Sequence, residues 1–444
     1  MKTPIYDFLK NYTNSEMLRC HMPGHKGKTL CGGFEKMFES DITEIAGADS
    51  LFESSGIIAE SEKNMSGLYK TAATVYSAGG STLCIQAMLA IMRNENRKVF
   101  AARNVHRAFL NAAALLDIDV EWIMPEYSAG ILSGELHPEI IEEKLKLCRE
   151  PSCVYITSPD YTGKTADIKA ISEVCRQYGS RLLVDNAHGA HLAFFEKSVH
   201  PIALGADMCC DSAHKMLPAL TGAAMLHTRC SEYAALLKPA MSLFASTSPS
   251  YLIMLSLDLC NKYISESISD DIKSNLEYLA KLREDFSDEL IFADTEPFHV
   301  TIKAAESGFD GNEFAEILRK NGVECEYSDS WTVILLMSPM NREDDYTRLS
   351  SALKRAVGLA ERCESRSDSG NFLQNLPERA MSIRSAVFSA GEEIPVETSE
   401  GRICGAVRVP CPPAIPIAAS GEVIDRECIK IFQKYGISAV NVLK

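Results

Sequence analysis

From Glu60 to Leu257 the chain alternates short apolar runs with longer stretches patterned as helices. Seven runs stand out: Ala73 to Ser77, Val99 to Ala101, Val120 to Ile123, Val154 to Thr157, Leu182 to Val184, Met208 to Cys210 and Ala223 to Leu226. Runs of this length read as strands buried on both faces, and the spacing between them leaves room for crossover helices, one from about Ser81 to Met92. The pattern predicts an α/β domain with a mostly parallel seven-stranded sheet flanked by helices. An amphipathic region from about Ser267 to Leu290 leads into a different pattern. There we expect a strand over Phe298 to Lys303, a helix over Asn312 to Asn321, strands over Val323 to Tyr327 and Thr332 to Met337, and a helix over Asp344 to Leu359, which together make a smaller α+β unit. Residues before Glu60 read as an irregular arm, because His21 to Gly27, HMPGHKG, sets a proline and two glycines where no regular helix can run. Ser365 to Gly370, SRSDSG, reads as a polar linker. The expected divisions are an arm over 1–60, a large domain over 61–265, a small domain over 266–364, and a linker with a C-terminal segment over 365–444.

A length of 444 residues leaves room for two or three domains and a large core. Hydrophobic residues at 46% and charged residues at 24% are ordinary for a soluble globular chain. The net charge of -15 argues against a nucleic-acid or anionic-membrane surface and suits a cationic substrate, as it suits many acidic cytosolic enzymes. The start, MKTPIYDFLKNYTNSE, has no apolar signal region, and no run of 18 apolar residues occurs, so a complete cytoplasmic protein without membrane segments is expected. Fifteen cysteines, odd in number and without a CxxC pair, read as reduced, mostly buried thiols.

Chemistry concentrates between Gly205 and His227, GADMCCDSAHKMLPALTGAAMLH, which reads as strand, turn with Lys215, strand. Apolar surroundings lower a lysine pKa below its usual ~10.4 and make the amine a nucleophile toward carbonyls. Taken alone, Lys215 reads more readily as an ordinary surface lysine in a hairpin connection. Upstream, the run Arg181 to Val184 ends in Asp185, followed by Asn186-Ala187-His188-Gly189-Ala190-His191. Ligands of open α/β sheets bind at the carboxyl ends of parallel strands, where Asp185 stands. A lysine after one strand and an aspartate ending another suit pyridoxal phosphate, the lysine forming the Schiff base and the aspartate keeping the pyridine nitrogen protonated. Gly79-Gly80-Ser81-Thr82 opens the helix after the first strand, either as a phosphate cradle or as a plain serine cap worth about 1 kcal/mol. Two other spacings fall away. Gly27-Lys28-Thr29 and Gly163-Lys164-Thr165 resemble the end of a P-loop, but Met22 and Ser158 stand where its first glycine belongs. His188 and His191 have no companion carboxylate or cysteine set, so no metal is expected.

The motifs SAHK around Lys215, VDNAHGAH from Val184 to His191 and HMPGHKG from His21 to Gly27 resemble those of the bacterial ornithine/lysine/arginine decarboxylases, pyridoxal phosphate enzymes of the aspartate aminotransferase fold (fold type I). The resemblance runs strongly from about His21 to Leu257 and more loosely afterwards. It implies that Lys215 carries the cofactor, that Asp185 meets its ring nitrogen, and that His106 stacks on its ring. His188 would stand on the substrate side with His191 in support, and Ser81, Thr82, Ser212 and His214 would hold the phosphate. Ser246 and Thr247, in ASTSPSY, would reach the partner's phosphate in a homodimer with shared sites. SPDYTG resembles the family's SPTYYG loop, with Asp160 in place of threonine, and would line the site. His25, Asp41, Glu44 and Glu422 are candidates for contact with the substrate's basic end. Departures are Asn186 where glutamate is usual, Asp211-Ser212-Ala213 in place of a QST-like triplet, and Cys411 and Ala414 in a VPCPPAIP segment that resembles PYPPGIP. The chain resembles the short type that lacks an N-terminal receiver-like domain. The implied activity is decarboxylation of arginine, lysine or ornithine to a di- or polyamine precursor, a step of polyamine biosynthesis, with Lys215 or His188 returning a proton. The alternatives are another fold-type I reaction, such as aldol cleavage, acyl condensation or transamination with Arg402 or Arg408 for a second carboxylate, or a silent homologue that regulates a decarboxylase.

Overall fold

A computed structural model describes residues 1–15, 17–29, 32–127, 130–366, 375–407 and 414–444. The chain folds into two compact units, each discontinuous in sequence: residues 1–96 with 181–271, and residues 97–180 with 272–444. Seven strands supply the large-domain sheet of the two units: β1 (Ala73–Ser77), β2 (Lys98–Ala102), β3 (Val120–Ile123), β4 (Ser152–Thr157), β5 (Arg181–Asp185), β6 (Met208–Asp211) and β7 (Ala224–Thr228). They coincide with the seven apolar runs within about two residues. The first unit holds four of them in the order β1-β7-β6-β5, and the second holds three in the order β4-β2-β3.

In the first unit β5 and β6 run parallel, whereas β7 runs antiparallel to both β1 and β6, with Thr228 opposite Ala73 on one side and Met208 on the other. Every residue of β6 and β7 is buried, as the continuous apolar runs require. The helix Gly80–Asn94 buries Leu83, Cys84, Ala87, Met88 and Ile91 and packs on β6, β7 and the helix Leu237–Ser242.

The segment before Glu60, expected to be irregular, contains the helix Pro4–Thr13, with Ile5 and Leu9 buried, and the short helix Glu35–Ser40. No neighbouring side chain caps Pro4–Thr13. Instead Asp258, on the helix Tyr251–Glu266, accepts the backbone N–H groups of Ile5 (3.1 Å) and Tyr6 (3.0 Å) together with the Ser61 hydroxyl (2.5 Å). Burial raises the Asp258 carboxyl above its usual pKa, against the pull of these donors. Asp258→Ala leaves buried donors unsatisfied and is expected to cost about 1–3 kcal/mol. Denaturant unfolding should show that loss, and limited proteolysis should cut first around residues 4–13.

In the second unit, a three-stranded antiparallel sheet joins His299–Ile302, Val333–Leu336 and Tyr327–Ser328, accompanied by helices Gly311–Lys320 and Glu343–Leu359. The strand expected over Val323 to Tyr327 shrinks to Tyr327–Ser328. Gly322 takes a left-handed conformation (φ +80°) and Val323 N–H closes back on Leu318 O, so these backbone groups end the preceding helix instead of pairing. Toward the C-terminus, Gly391–Pro395 pairs with Ala439–Leu443, and Val396, Ile417, Ile424, Ile431, Phe432 and Val442 form a buried cluster. Arg103, just beyond β2 and 1% exposed, donates to Pro416 O (3.1 Å), Ile417 O (3.0 Å) and Glu422 Oε2 (2.8 Å) while lying over the Trp122 ring. Among the described residues no helix is long and apolar enough to cross a membrane, and the described cysteines are free thiols, most of them buried.

Candidate active site

The first unit gathers most of the candidate residues at the strand ends. After β6, Ser212 leaves the strand, and a single helical turn, Ala213–Met216, carries Lys215; the expected simple turn is therefore a turn of helix. Lys215 Nζ lies 2.8 Å from His188 Nε2. Asp185, the last residue of β5, is buried; its Oδ1 accepts Ala187 N–H (3.2 Å) and meets Cys210 Sγ (3.6 Å). His188 is buried, and His191, fully buried on the 3-10 turn Ala190–Phe194, packs edge-on against Phe195.

The glycine junction resolves in a specific way. The helix starts at Gly80, whose φ of +68° calls for glycine, and its cap residue Gly79 offers no side chain. Ser81 therefore lies inside the first turn and does not cap it; Ser212 Oγ donates to Ser81 Oγ at 3.0 Å. Two hydroxyls and a set of N–H groups without a side-chain cap thus stand at one helix start, a donor set for an anion. A neighbouring cavity of about 330 Å³ is lined by Gly79, Thr82, Gln86, Phe244, Ser246 and Ser248, so Thr82 and Ser246 of one chain face the same space. Ser246 and Thr247 are both exposed. His214 donates from Nδ1 to Ala223 O (2.9 Å), and burial lowers its pKa, with Lys215 adding to the shift, so the ring is neutral with Nε2 as acceptor.

The arm residues pair with one another. His25 Nδ1 accepts Gly27 N–H (3.0 Å), which leaves its Nε2–H for Asp41 Oδ2 (3.2 Å), and Glu44 accepts the Ser50 hydroxyl (2.8 Å). In the second unit, His106 caps the helix Arg107–Leu116, its Nδ1 accepting Ala108 N–H at 3.1 Å, so the proton sits on Nε2. Asp160 builds its own loop: Oδ1 accepts Thr162 N–H, the Thr162 hydroxyl and Lys164 N–H, while burial raises the carboxyl above its usual pKa. Glu422, a candidate for substrate contact, is buried and engaged by Arg103 and by Ala419 N–H (2.7 Å). Arg408 and the VPCPP stretch with Cys411 lie outside the described residues. Ala414, where the resemblance expects glycine, has φ +57°, so the glycine-like backbone is present without the glycine.

Sequence reading passed over two features. Arg103 is one; the other is a fully buried cluster of His200, Asp211 and His227 behind the strand ends. Asp211 had registered only as a departure within a triplet.

This donor set fits pyridoxal phosphate: an amine beside an imidazole, a buried carboxylate ending a strand, and hydroxyls with N–H groups at a helix start. Comparison with known proteins agrees. Residues 3–305 match the profile of the Orn/Lys/Arg decarboxylase major domain. The arginine decarboxylase of Halalkalibacterium halodurans is 27% identical over 452 residues, covering 95% of this chain and 91% of the relative. The arginine decarboxylase of Bacillus subtilis is 26% identical, covering 98% of this chain and 93% of its own. Among solved structures, the lysine decarboxylase of Francisella novicida superposes with a TM-score of 0.82 at 16% identity, over 100% of this chain and 81% of that one. Serine palmitoyltransferase of Sphingomonas wittichii shares the fold more distantly, with a TM-score of 0.56 at 12% identity over 71% of this chain and 81% of its own. A profile matched over well beyond half the sequence, on a sheet and donor set of this kind, places the chain in the Orn/Lys/Arg decarboxylase family, as an amino-acid decarboxylase that works with pyridoxal phosphate.

Proposed function

We propose that the chain removes carbon dioxide from a basic L-amino acid, with arginine the first candidate, and that Lys215, Asp185 and His188 carry the chemistry. The observation that carries this reading is the 2.8 Å approach of Lys215 Nζ to His188 Nε2 beside the buried end of β5. The names of relatives matched over nearly the whole chain support arginine, and the net charge of -15 suits a cationic substrate.

Pyridoxal phosphate, when bound, supplies an electron sink for the pair left behind as carbon dioxide departs. Lys215 would hold it through Nζ, and Asp185 would keep a proton on its ring nitrogen. Ser81, Thr82, Ser212 and the N–H groups opening Gly80–Asn94 would take the phosphate, whereas His214, its Nδ1–H spent on Ala223 O, has no donor left for it; His106 would lie against the ring. His188 Nε2 and Lys215 Nζ share a proton across their contact, and either can return it to the substrate's α-carbon. Asp41 and Glu44 are the carboxylates we assign to the substrate's basic end, with His25 orienting Asp41. The exposed Ser246 and Thr247 would complete the partner's phosphate site in a homodimer. Transamination is less well supported, since Arg402 is already held by Glu392 (2.8 Å) and Leu443 O (2.6 Å).

The test is carbon dioxide release from arginine, lysine and ornithine by protein purified with pyridoxal phosphate, alongside its visible absorbance. Release from arginine well above the other two is expected. An absorbance band without release from any of them would move the chain to another reaction on the same cofactor.

A further inference from the structure

Behind Lys215 lies a second buried carboxylate, Asp211. Alternation along β6 turns Cys210 toward Asp185 and Asp211 the other way, into a fully buried pocket of polar groups. Asp211 Oδ1 accepts Asn186 Nδ2–H at 2.7 Å, and Oδ2 lies 3.0 Å from His200 Nε2 and 3.2 Å from His227 Nε2. His200 Nδ1 accepts Ile202 N–H (3.4 Å), so its proton sits on Nε2 and points at Asp211. His227 Nδ1 meets Thr74 Oγ1 at 2.8 Å, while its Nε2 approaches Asp211 without hydrogen-bond geometry. The Tyr69 ring covers both imidazoles, and Cys209 Sγ lies 3.9 Å from His200 Nε2. With a proton on its Nε2, His200 is a hydrogen-bond donor to Asp211. Burial works against the Asp211 anion, but His200 and His227 more than offset it and hold the carboxyl well below its usual range. His227 is itself kept neutral by burial.

The Asp211 carboxylate is therefore buried at the base of the helical turn that carries Lys215, with hydrogen bonds from Asn186 and His200. Asn186, the donor at 2.7 Å, is also tied by its backbone N–H to Cys210 O, so the same carboxylate clamps the ends of β5 and β6. We propose that Asp211, buried and hydrogen-bonded by Asn186 and His200, is a positioning residue that fixes the strand ends bearing Asp185 and Lys215 and favours the cationic form of the Lys215 nitrogen. This rests on the reading of Lys215 as the cofactor lysine. Other titratable groups facing the two residues are His188 and His214 beside Lys215, Asp185 at the neighbouring strand end, and Tyr69, Cys84, Cys209 and Cys210 around Asp211; none is altered in the variants below.

The experiment is a pH titration of the visible absorbance band of the holoprotein. Asp211→Asn removes the charge and keeps the shape; its midpoint is expected about one pH unit lower, a tenfold change in the equilibrium, as loss of a nearby buried charge implies. Asp211→Gln carries the same expectation should the asparagine variant fold poorly. His200→Gln loosens the cluster and weakens the hold on the charge without removing the carboxyl, and its midpoint should move clearly less than that of Asp211→Asn. A band that holds through the range in the parent, with a midpoint entering from above in Asp211→Asn, counts as the expected shift. Equal midpoints in all variants, or equal shifts in Asp211→Asn and His200→Gln, would overturn the proposal. A parent protein with no band would overturn the reading of Lys215 itself, which keeps the two failures apart.

Discussion

Lys215→Ala is expected to abolish the visible absorbance band and to lower carbon dioxide release by on the order of 10⁴-fold or more, the loss typical when a covalent anchor and its proton are both removed. The fold should survive. Lys215 is only part-buried, on a single helical turn whose packing residues are Ala213 and Met216, and the strands on either side are held by β-sheet pairing with no help from its side chain. Circular dichroism and denaturant midpoints should therefore match the parent within about 0.5 kcal/mol, the range of substitutions away from special features. Retention of the band in the variant would place the cofactor on another residue and sink the site as drawn.

The largest stability loss is expected far from that lysine in sequence, at Arg103. Arg103→Met removes three hydrogen bonds at once and leaves the Glu422 carboxylate buried, still accepting Ala419 N–H but without a countercharge. Stranding one member of a buried ion pair costs about 3–5 kcal/mol, whereas replacing both members by apolar groups is often close to neutral. Denaturant unfolding of Arg103→Met should show the full loss, and Arg103→Met with Glu422→Leu should recover most of it. A small loss in the single variant would mean that the C-terminal segment is held by its apolar cluster, Ile417 and Ile424 included, and not by this pair.

Much of the architecture was legible because strands buried on both faces cannot disguise their apolar runs; β6 and β7 are buried at every position and were visible as such. Their order in the sheet was not legible, since nothing in a strand's composition names its neighbour. The helix Pro4–Thr13 was legible in part, since Thr3 and Pro4 stand where a helix start is favoured and Asp7 and Lys10 suit its two ends; what the sequence hid is that its N-terminal donors are met by Asp258, a residue remote in sequence. Val323 to Tyr327 looked like a strand on composition, yet Gly322 and the helix-ending bond of Val323 took its backbone first. At the site, Lys215, Asp185 and His188 lie in short motifs and could be picked out singly, whereas the Asp211 cluster draws on Asn186, His200 and His227 from separate segments that only the folded strands bring together. Arg103 and Glu422 were invisible as a pair for the same reason.

The pairing of β1 with β7 sets the timetable of folding during synthesis. β1 forms its ladder with β7, Ala73 opposite Thr228, so an apolar strand near the start of the chain has no partner until the ribosome has passed Thr228. Before then the emerging polypeptide must complete β2, β3 and β4, which belong to the other unit, with β1 and the helix behind it still waiting. Long-range closure of this kind is slow and leaves sticky surface uncovered in the interval. A chain released early, anywhere short of β7, keeps Val75 and Tyr76 without the strand that pairs with them, and such truncated products are candidates for chaperone capture or precipitation instead of partial function.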